Sequence, residues 1–225
     1  MISDDNAKTL GYGGFGKVSF KYSAKFNKKV AIKEISKQAL LQKKELERMD
    51  TIALLKIKED FENMFRKEKN LMLQLKEKHL DYCVEILEFI ENPPTIIMEY
   101  CEGGDIRKLL DEEREVDVGD KVVMIGQILE AIKQIHGAGF IHGDLKCQNI
   151  FLVNKYIPKD TDNIEIKIGD FGLSEKGGKL IWGGIPGYQA PENRVNGSGG
   201  SFESDFYSIG KVMLEIMKEH PVYII

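Results

Sequence analysis

The sequence predicts an α+β fold with two lobes. Strand patterns begin and end the part of the chain before residue 101, and helical patterns dominate the part after it. In the first part, apolar and polar residues alternate around a glycine-rich turn, as they do in half-buried strands. In the second part, apolar residues recur every three or four positions. The flexible stretch CEGGD at 101–105 separates them, so we expect an N-lobe over 1–100 and a C-lobe over 101–225.

The predicted N-lobe combines strands with one long helical region. Val18, Phe20 and Tyr22 alternate with polar residues, which indicates a strand after the glycine-rich turn. Residues 34–80 are rich in Lys, Glu and Leu and contain no proline or glycine, so they predict one or two long helices, the last over about 60–78. Three further strands are predicted, at 30–33, 83–90 and 95–100.

The predicted C-lobe is mainly helical. Asp105 can cap a helix over 106–114, and a second helix runs to about residue 136, where glycines end it. Residues 205–217 form a helix that is apolar on nearly every side and should be buried. A strand pair is predicted between the last two helices, at 150–153 and 164–168.

Composition excludes several classes of protein. The 225 residues carry a net charge of −4, which does not favour nucleic acid or a membrane surface as a partner. No apolar run approaches the ~18 residues that span a bilayer, and the N-terminus lacks the pattern of a secretory signal. The cysteines, at 83, 101 and 147, lack metal-site spacing and predict reduced thiols. We therefore expect a cytoplasmic protein, with a nuclear location also compatible.

The sequence GYGGFGKV at 11–18 indicates a phosphate-binding loop, since glycines let backbone amides approach phosphate oxygens closely. A plain flexible turn is one alternative. A dinucleotide-binding fold is another, but its third glycine should open a helix, whereas KVSFKYS alternates like a strand. Lys33 ends the VAIK strand and could pair with phosphates; an exposed strand-end lysine is the simpler interpretation of that motif alone. The glycines are Gly11, Gly13, Gly14 and Gly16.

Two polar loops, HGDLKCQN at 142–149 and IGDFG at 168–172, carry a charge pattern suited to phosphate chemistry. Asp144, Asn149 and Asp170 supply hard oxygen atoms, which Mg²⁺ prefers. Lys146 supplies a positive charge. Isolated Asp and Asn residues in loops are usually turn formers. Here the glycine-rich loop, VAIK, HGDLKCQN and IGDFG follow one another along the chain, and four motifs in this order favour a shared site.

A fifth motif, Ala190-Pro191-Glu192, follows the glycine-rich loop, VAIK, HGDLKCQN and IGDFG. Together the five motifs make the chain similar to the eukaryotic-type protein kinases. The resemblance runs from Gly11 to about Met217 and implies a two-lobed protein-kinase-like fold. DLKxxN around Lys146 resembles the serine/threonine branch, and QNIFL shows a weak local similarity to NIMA-related kinases. The resemblance implies an ATP- and Mg²⁺-dependent enzyme that transfers the γ-phosphate to a Ser or Thr hydroxyl of a protein.

The same resemblance implies roles for individual residues. Lys33 would hold the α- and β-phosphates and pair with a helix glutamate, Glu68 or alternatively Glu62. Asp144 would accept the proton of the substrate hydroxyl, and Lys146 would neutralise the transferring phosphoryl group. Metal ligands would be Asn149 and Asp170. The glycine loop would cover the phosphates, and the remaining nucleotide contacts would be Val18, Ala31, Met98, Glu99, Cys101, Asp105 and Phe151. For Asp105, a ribose contact and a helix cap are equally good interpretations.

Two residues depart from the family pattern near the predicted site. Gly143 stands where the family usually has an arginine that grips a phosphorylated residue. Residues 175–187 contain no Ser, Thr or Tyr, so we expect an activation loop that is not switched by phosphorylation. Ile185 replaces the usual threonine, whose hydroxyl ties this loop to the catalytic residues.

Two larger departures leave a second functional reading open. Residues 38–58 look like an inserted charged helix, either a solvated surface or a docking element for a partner. The chain also lacks the last C-lobe helices of the family, which suggests a truncated domain or one that a partner covers. The alternative to an active kinase is therefore a catalytically weak or inactive kinase-like module that binds nucleotide or protein.

Overall fold

The computed structural model describes residues 7–13, 16–34, 51–112, 116–176, 187–195 and 200–218. The predictions for Gly14, Ile185 and residues 38–50 lie outside these ranges. The chain divides into two compact units. One contains Met1–Leu73 and Glu85–Tyr100, and the other contains Gln74–Val84 and Cys101–Ile225.

The first unit is built on a five-stranded antiparallel sheet with strand order β1-β2-β3-β5-β4. Its strands are β1 (Lys8–Gly13), β2 (Gly16–Ser23), β3 (Lys28–Glu34), β4 (Ile86–Glu91) and β5 (Pro94–Glu99). Val30, Ile32 and Ile97 form a buried cluster on one face, as apolar alternation in the central strands predicts. The opposite face of β2, β3 and β5 carries the residues expected to bind nucleotide.

Helix α1 (Thr51–Glu77) is a single helix of 27 residues. It begins earlier than the predicted start near residue 60, because nothing in the sequence between the two positions interrupts it. Its buried face repeats every three to four residues, as in an amphipathic helix packed against a core. The buried residues of that face are Phe61, Phe65, Glu68, Leu71, Met72 and Leu75.

The second unit contains four helices in the part of the chain that the structure describes: α2 (Ile106–Asp111), α3 (Val118–Gly137), α4 (Pro191–Val195) and α5 (Phe202–Met217). Helix α2 ends before the predicted residue 114, because acidic residues from Asp111 onward oppose the helix dipole at a C-terminus. Helix α5 begins three residues before the predicted start, because Ser201 and Ser204 form a capping box.

Short strands complete the second unit: β6 (Gly104–Asp105), β7 (Phe140–Ile141), β8 (Ile150–Leu152), β9 (Ile166–Ile168) and β10 (Glu175–Lys176). The predicted strand pair is confirmed, since β8 and β9 are antiparallel neighbours. Strand β6 pairs with β8, and β10 pairs with β7. The core beneath them consists of fully buried aliphatic side chains, which include Ile128, Ile132, Ile135, Ile150, Ile166 and Ile168.

The prediction that the last helix is buried holds for one face only. Ile209, Val212 and Ile216 of α5 are buried, whereas Phe206 and Leu214 are 58% and 67% exposed. Among the helices that the structure describes, α5 included, none is both long enough and apolar enough to cross a membrane.

Candidate active site

The polar segment HGDLKCQN at 142–149, the predicted catalytic loop, lies between β7 and β8, and a carboxylate from α5 holds its backbone. Asp205 Oδ2 accepts hydrogen bonds from the His142 amide and the His136 ring, both at 2.8 Å, and Oδ1 accepts one from the Gly143 amide at 2.9 Å. Asp205 is only 1% exposed. Charge-assisted hydrogen bonds are stronger than neutral ones, so this buried carboxylate fixes the start of the loop.

The position of Gly143 between histidine and aspartate has a conformational reason. Its φ is +79°, in the left-handed region that glycine adopts without the steric cost of a side chain. This conformation allows two successive amides, of His142 and Gly143, to point at the same carboxylate. The glycine therefore supplies the turn on which Asp144 is mounted.

The Asp144 carboxylate contacts the side chains of Lys146 and Asn149. Lys146 Nζ lies 2.5 Å from Asp144 Oδ2, and the Asn149 side-chain amide donates to the Asp144 carbonyl at 2.7 Å and to Oδ2 at 3.2 Å. The Lys146 and Asp144 side chains are 14% and 10% exposed. The orientation of the Asn149 amide nitrogen leaves its oxygen directed away from Asp144. The structure thus brings together three residues that the sequence assigned to the catalytic loop.

Asp170 lies at the same end of the β8–β9 pair as Asn149. Ile150 pairs with Ile168 across the two strands, and the Gly169 amide donates to the Asn149 carbonyl at 2.9 Å. Asp170 has φ +61° and ψ +68°, a backbone conformation that costs a non-glycine residue about 1–3 kcal/mol. Such strain persists only where the surrounding structure imposes it, and it is typical of functional sites.

The donors at this strand end fit Mg²⁺ bound partly by protein. They are carboxylate and amide oxygens, and Mg²⁺ is usually held by one or two carboxylates together with water and phosphate oxygens. Within the described ranges, no group of three or more His, Cys, Asp or Glu side chains could hold a metal ion by itself. Asn149 and Asp170, the metal ligands that the family resemblance implies, have side-chain oxygens of this kind.

His142 is buried and hydrogen bonded through both ring nitrogens. Nδ1 accepts from the Asp144 amide at 3.3 Å, which assigns the proton to Nε2, 3.1 Å from the Gly169 carbonyl. The ring also packs against Phe171 at 5.1 Å between centroids. These contacts link the two polar loops and support a structural role for His142 rather than a general base.

In the first unit, Lys33 and Glu68 form a buried ion pair. Nζ lies 2.7 and 2.8 Å from the two carboxylate oxygens, and the side chains are 10% and 5% exposed. An exposed strand-end lysine is therefore the wrong interpretation. Between the two glutamates left open by the sequence, the structure places Glu68 on Lys33, while Glu62 lies 3.7 Å from Arg66.

The strand register places four of the predicted nucleotide contacts on one sheet face: Val18, Ala31, Lys33 and Met98. Val18 pairs with Lys33, and Ala31 pairs with Met98 across β3 and β5. Glu99 is fixed by Glu85, which donates its amide to the Glu99 carboxylate at 2.6 Å and accepts the Glu99 amide at 3.0 Å.

The glycine-rich turn closes the hairpin of β1 and β2, where Gly13 pairs with Gly16. A Cβ on Gly16 would lie 2.1 Å from the Glu34 carbonyl oxygen, so only glycine fits this position. Gly11 lies in β1 opposite Val18. The hairpin agrees with the predicted glycine loop between two strands.

One aromatic contact was missed by sequence reasoning. Phe20 and Tyr100 stack with centroids 4.5 Å apart and planes 9° from parallel. Phe20 lies opposite Ala31 in the register, on the face described above. The alternation of Val18 and Phe20 was a signal for that shared face, but nothing in the sequence indicates Tyr100 as the partner.

The remaining predicted contacts belong to the second unit. Asp105 caps α2 by accepting from the Lys108 amide at 3.0 Å, which supports the helix-cap interpretation. Cys101 is buried. Phe151 pairs with Lys167 in the β8–β9 ladder and is half-buried.

Comparison with known proteins matches this arrangement to one family. The protein kinase domain family matches residues 5–224. The chain is 31% identical to a probable serine/threonine-protein kinase zyg-1 of Caenorhabditis briggsae, over 98% of this chain and 28% of the relative. It is 30% identical to serine/threonine-protein kinase cds1 of Schizosaccharomyces pombe, over 95% and 45%, and 26% identical to serine/threonine-protein kinase 33 of Mus musculus, over 96% and 42%.

The chain spans less than half the length of these relatives. The family match nevertheless covers both units and every motif described above. The chain therefore belongs to the protein kinase domain family, and the three relatives named above are serine/threonine-protein kinases.

Proposed function

We propose that this domain transfers the γ-phosphate of ATP to a serine or threonine hydroxyl of a protein, with Mg²⁺ as the metal. The arrangement around Asp144 carries this proposal. Its carboxylate contacts Lys146 Nζ at 2.5 Å and the Asn149 amide at 3.2 Å. An acid, a cation and a metal-compatible amide on one short loop suit phosphoryl transfer, in which positioning and charge neutralisation dominate catalysis.

In the proposed reaction, Asp144 orients the substrate hydroxyl and accepts its proton as the oxygen attacks phosphorus. Lys146 neutralises charge on the transferring phosphoryl group. Lys33, held by Glu68, contacts the α- and β-phosphates. Asn149 and Asp170 would hold Mg²⁺, which would supply positive charge that neutralises the phosphates.

Adenine recognition is proposed to use the apolar side chains of the nucleotide face and a backbone edge. Val18, Ala31 and Met98 share that face in the first unit. The backbones of Glu99 and Cys101 would contact the adenine edge, and Phe151 would contact the ring. The two hydrogen bonds between Glu85 and Glu99 support this assignment, because they fix the end of β5.

We further propose that phosphorylation of residues 175–187 does not switch the domain. These residues contain no Ser, Thr or Tyr. Ser174 precedes them, but it is 1% exposed and its hydroxyl donates to the His142 carbonyl at 2.8 Å. Its burial supports a structural role, and Gly143 provides no cation to grip a phosphate there.

We also propose a cellular compartment and two surfaces for a protein partner. The three cysteines are buried thiols, which fits a reducing compartment such as the cytoplasm. Residues 38–58 and the exposed face of α5 are candidate surfaces for a protein partner. The exposed face of α5 carries the apolar side chains of Phe206, Leu214 and Met217.

The test measures γ-phosphate transfer from ATP to a generic protein substrate with Mg²⁺, comparing the wild-type chain with Asp144→Asn. We expect transfer in the wild type and its loss in the variant. A wild-type chain that is folded and binds ATP but transfers no phosphate would contradict the proposal. That result would favour the alternative, a kinase-like module that binds nucleotide or protein without turnover.

A further inference from the structure

A polar cluster in the second unit lies outside the residues assigned to the reaction. Its centre is Glu215 in α5, whose carboxylate contacts side chains from three other segments. Cys147 Sγ lies 3.1 Å from Oε2, and the Tyr188 hydroxyl lies 2.8 and 2.7 Å from the two oxygens. Arg107 of α2 is 3.7 Å away. The cluster thus joins the catalytic loop, the segment before α4, and two helices.

The protonation of the cluster defines its hydrogen bonds. Cys147 Sγ and the Tyr188 hydroxyl lie within hydrogen-bond distance of the Glu215 carboxylate, whose oxygens accept. The thiol and the hydroxyl are therefore the donors. Burial, together with the hydrogen bond to Glu215, raises the pKa of the Tyr188 hydroxyl. Arg107 compensates part of the carboxylate charge.

Cys147 is placed to control the geometry of two predicted catalytic residues. It begins the 3₁₀ turn Cys147–Asn149 directly after Lys146. The backbone amide of Asn149 closes this turn by donating to the Lys146 carbonyl at 2.9 Å. The Cys147 side chain is 0% exposed. A shift of this turn would therefore move Lys146 and Asn149 together, and both contact Asp144.

We propose that Cys147 is a positioning residue for phosphoryl transfer, whose thiol anchors the Cys147–Asn149 turn to Glu215 and thereby to Tyr188. The proposal rests on the proposed kinase function. Its chemistry is that of a neutral donor on a carboxylate, so the thiol neither reacts nor contacts substrate. The role requires a donor at this position rather than sulfur as such.

The test compares Cys147→Ala with Cys147→Ser, because both variants lose similar volume and only serine keeps a donor. In steady-state phosphate transfer from ATP with Mg²⁺, we expect Cys147→Ala to lower kcat about tenfold, the typical effect of one charge-assisted hydrogen bond. The KM for ATP should change less than about twofold, because Lys33 and the β5 end are untouched. Cys147→Ser should return kcat to within about threefold of wild type.

Controls separate this role from packing and from general loss of activity. Cys83→Ala removes another buried thiol of the same unit and should leave kcat unchanged. Thermal unfolding of each variant establishes that it is folded. If Cys147→Ala does not fold, Glu215→Gln replaces it, since glutamine weakens the acceptor at nearly constant volume, and kcat should fall there too.

Three results would overturn the inference. Wild-type kcat in Cys147→Ala shows that the thiol positions nothing, and a Cys147→Ser variant no better than alanine shows that only packing matters. In both cases wild-type transfer persists and the proposed function stands. An absence of transfer in the wild type itself, equal to Asp144→Asn, contradicts the proposed function and removes this role with it.

Discussion

Lys33 on strand β3 and Glu68 on helix α1 form an ion pair in which one ammonium contacts both carboxylate oxygens, at 2.7 and 2.8 Å. Phe65, one turn before Glu68, places its ring 5.8 Å from the same ammonium. Both charged side chains are almost fully buried, so each depends on the other for compensation. This pair fixes the helix against the sheet and holds the lysine on the nucleotide face.

We expect Glu68→Gln to lower phosphate transfer at least tenfold in kcat/KM for ATP and to reduce the free energy of unfolding by about 2 kcal/mol. Glutamine cannot compensate the buried ammonium, so Lys33 would lose both charge and orientation. Urea denaturation and steady-state kinetics measure the two effects. Glu62→Gln is the matched control on the same helix and should change stability by less than about 0.5 kcal/mol. Equal effects of the two variants would contradict the assigned pair.

Gly143→Ala should reduce the free energy of unfolding by about 1–2 kcal/mol, because alanine at φ +79° is strained. It should also lower kcat, since relief of that strain would rotate the amide away from Asp205 and displace Asp144. Gly126→Ala provides the opposite control. Gly126 lies inside α3, where a Cβ would meet nothing within 4 Å, so alanine should stabilise the domain by about 0.5–1 kcal/mol. Denaturation of both variants measures the sign, and a stabilising Gly143→Ala would show that the left-handed turn is not required.

The motifs predicted which polar residues belong to the site, because each of them lies in a short loop that its neighbours in the sequence identify. The pairing of Lys33 with Glu68, with Glu62 as the alternative, followed from the family resemblance, and the ion pair in the structure agrees with that choice. Glu68 shares the buried face with Phe65, whereas Glu62 does not. The sequence also indicated a loop between a helix and a strand around Asp144, but it did not indicate the two-residue strand β7 that precedes this loop.

Several other contacts between distant segments were not predicted from the sequence. The hydrogen bond between His136 and Asp205 joins two helices, and the stack of Phe20 on Tyr100 joins strand β2 to the residue that follows β5. In both pairs, no local sequence pattern marks one residue as the partner of the other, because such contacts depend on helix packing and sheet order rather than on sequence spacing. The contact of Cys147 with Glu215 is of the same kind.

Tyr156 should titrate late and stabilise the domain through Asp120. Its hydroxyl donates to Asp120 Oδ2 at 2.6 Å, and burial, with this hydrogen bond, raises the pKa of Tyr156 to about 12. An unfolded tyrosine has a pKa of about 10. The contribution to stability is therefore complete below about pH 10 and is lost as the pH rises towards 12, since only the unfolded chain releases the proton in that range.

We expect Tyr156→Phe to reduce the free energy of unfolding by about 1–2 kcal/mol at neutral pH, because Asp120 loses a buried donor. The variant should also lack one late step in the ultraviolet titration of tyrosine. Tyr12→Phe, at a side chain that is 51% exposed, should change stability by less than about 0.5 kcal/mol. Identical titration curves for wild type and Tyr156→Phe would show that this hydroxyl is not perturbed.

Asn149→Ala should raise the Mg²⁺ concentration needed for half-maximal phosphate transfer about tenfold or more, because it removes a proposed metal ligand. It should also lower kcat at saturating Mg²⁺, since the amide no longer donates to the Asp144 carbonyl at 2.7 Å. Kinetics across a Mg²⁺ titration separate these effects: lost ligation shifts the midpoint, and lost positioning lowers the plateau. Asn163→Ala, which removes an exposed amide that donates to the Lys155 carbonyl, should change neither. A lowered plateau with an unshifted midpoint would assign Asn149 a positioning role and leave the metal to other ligands.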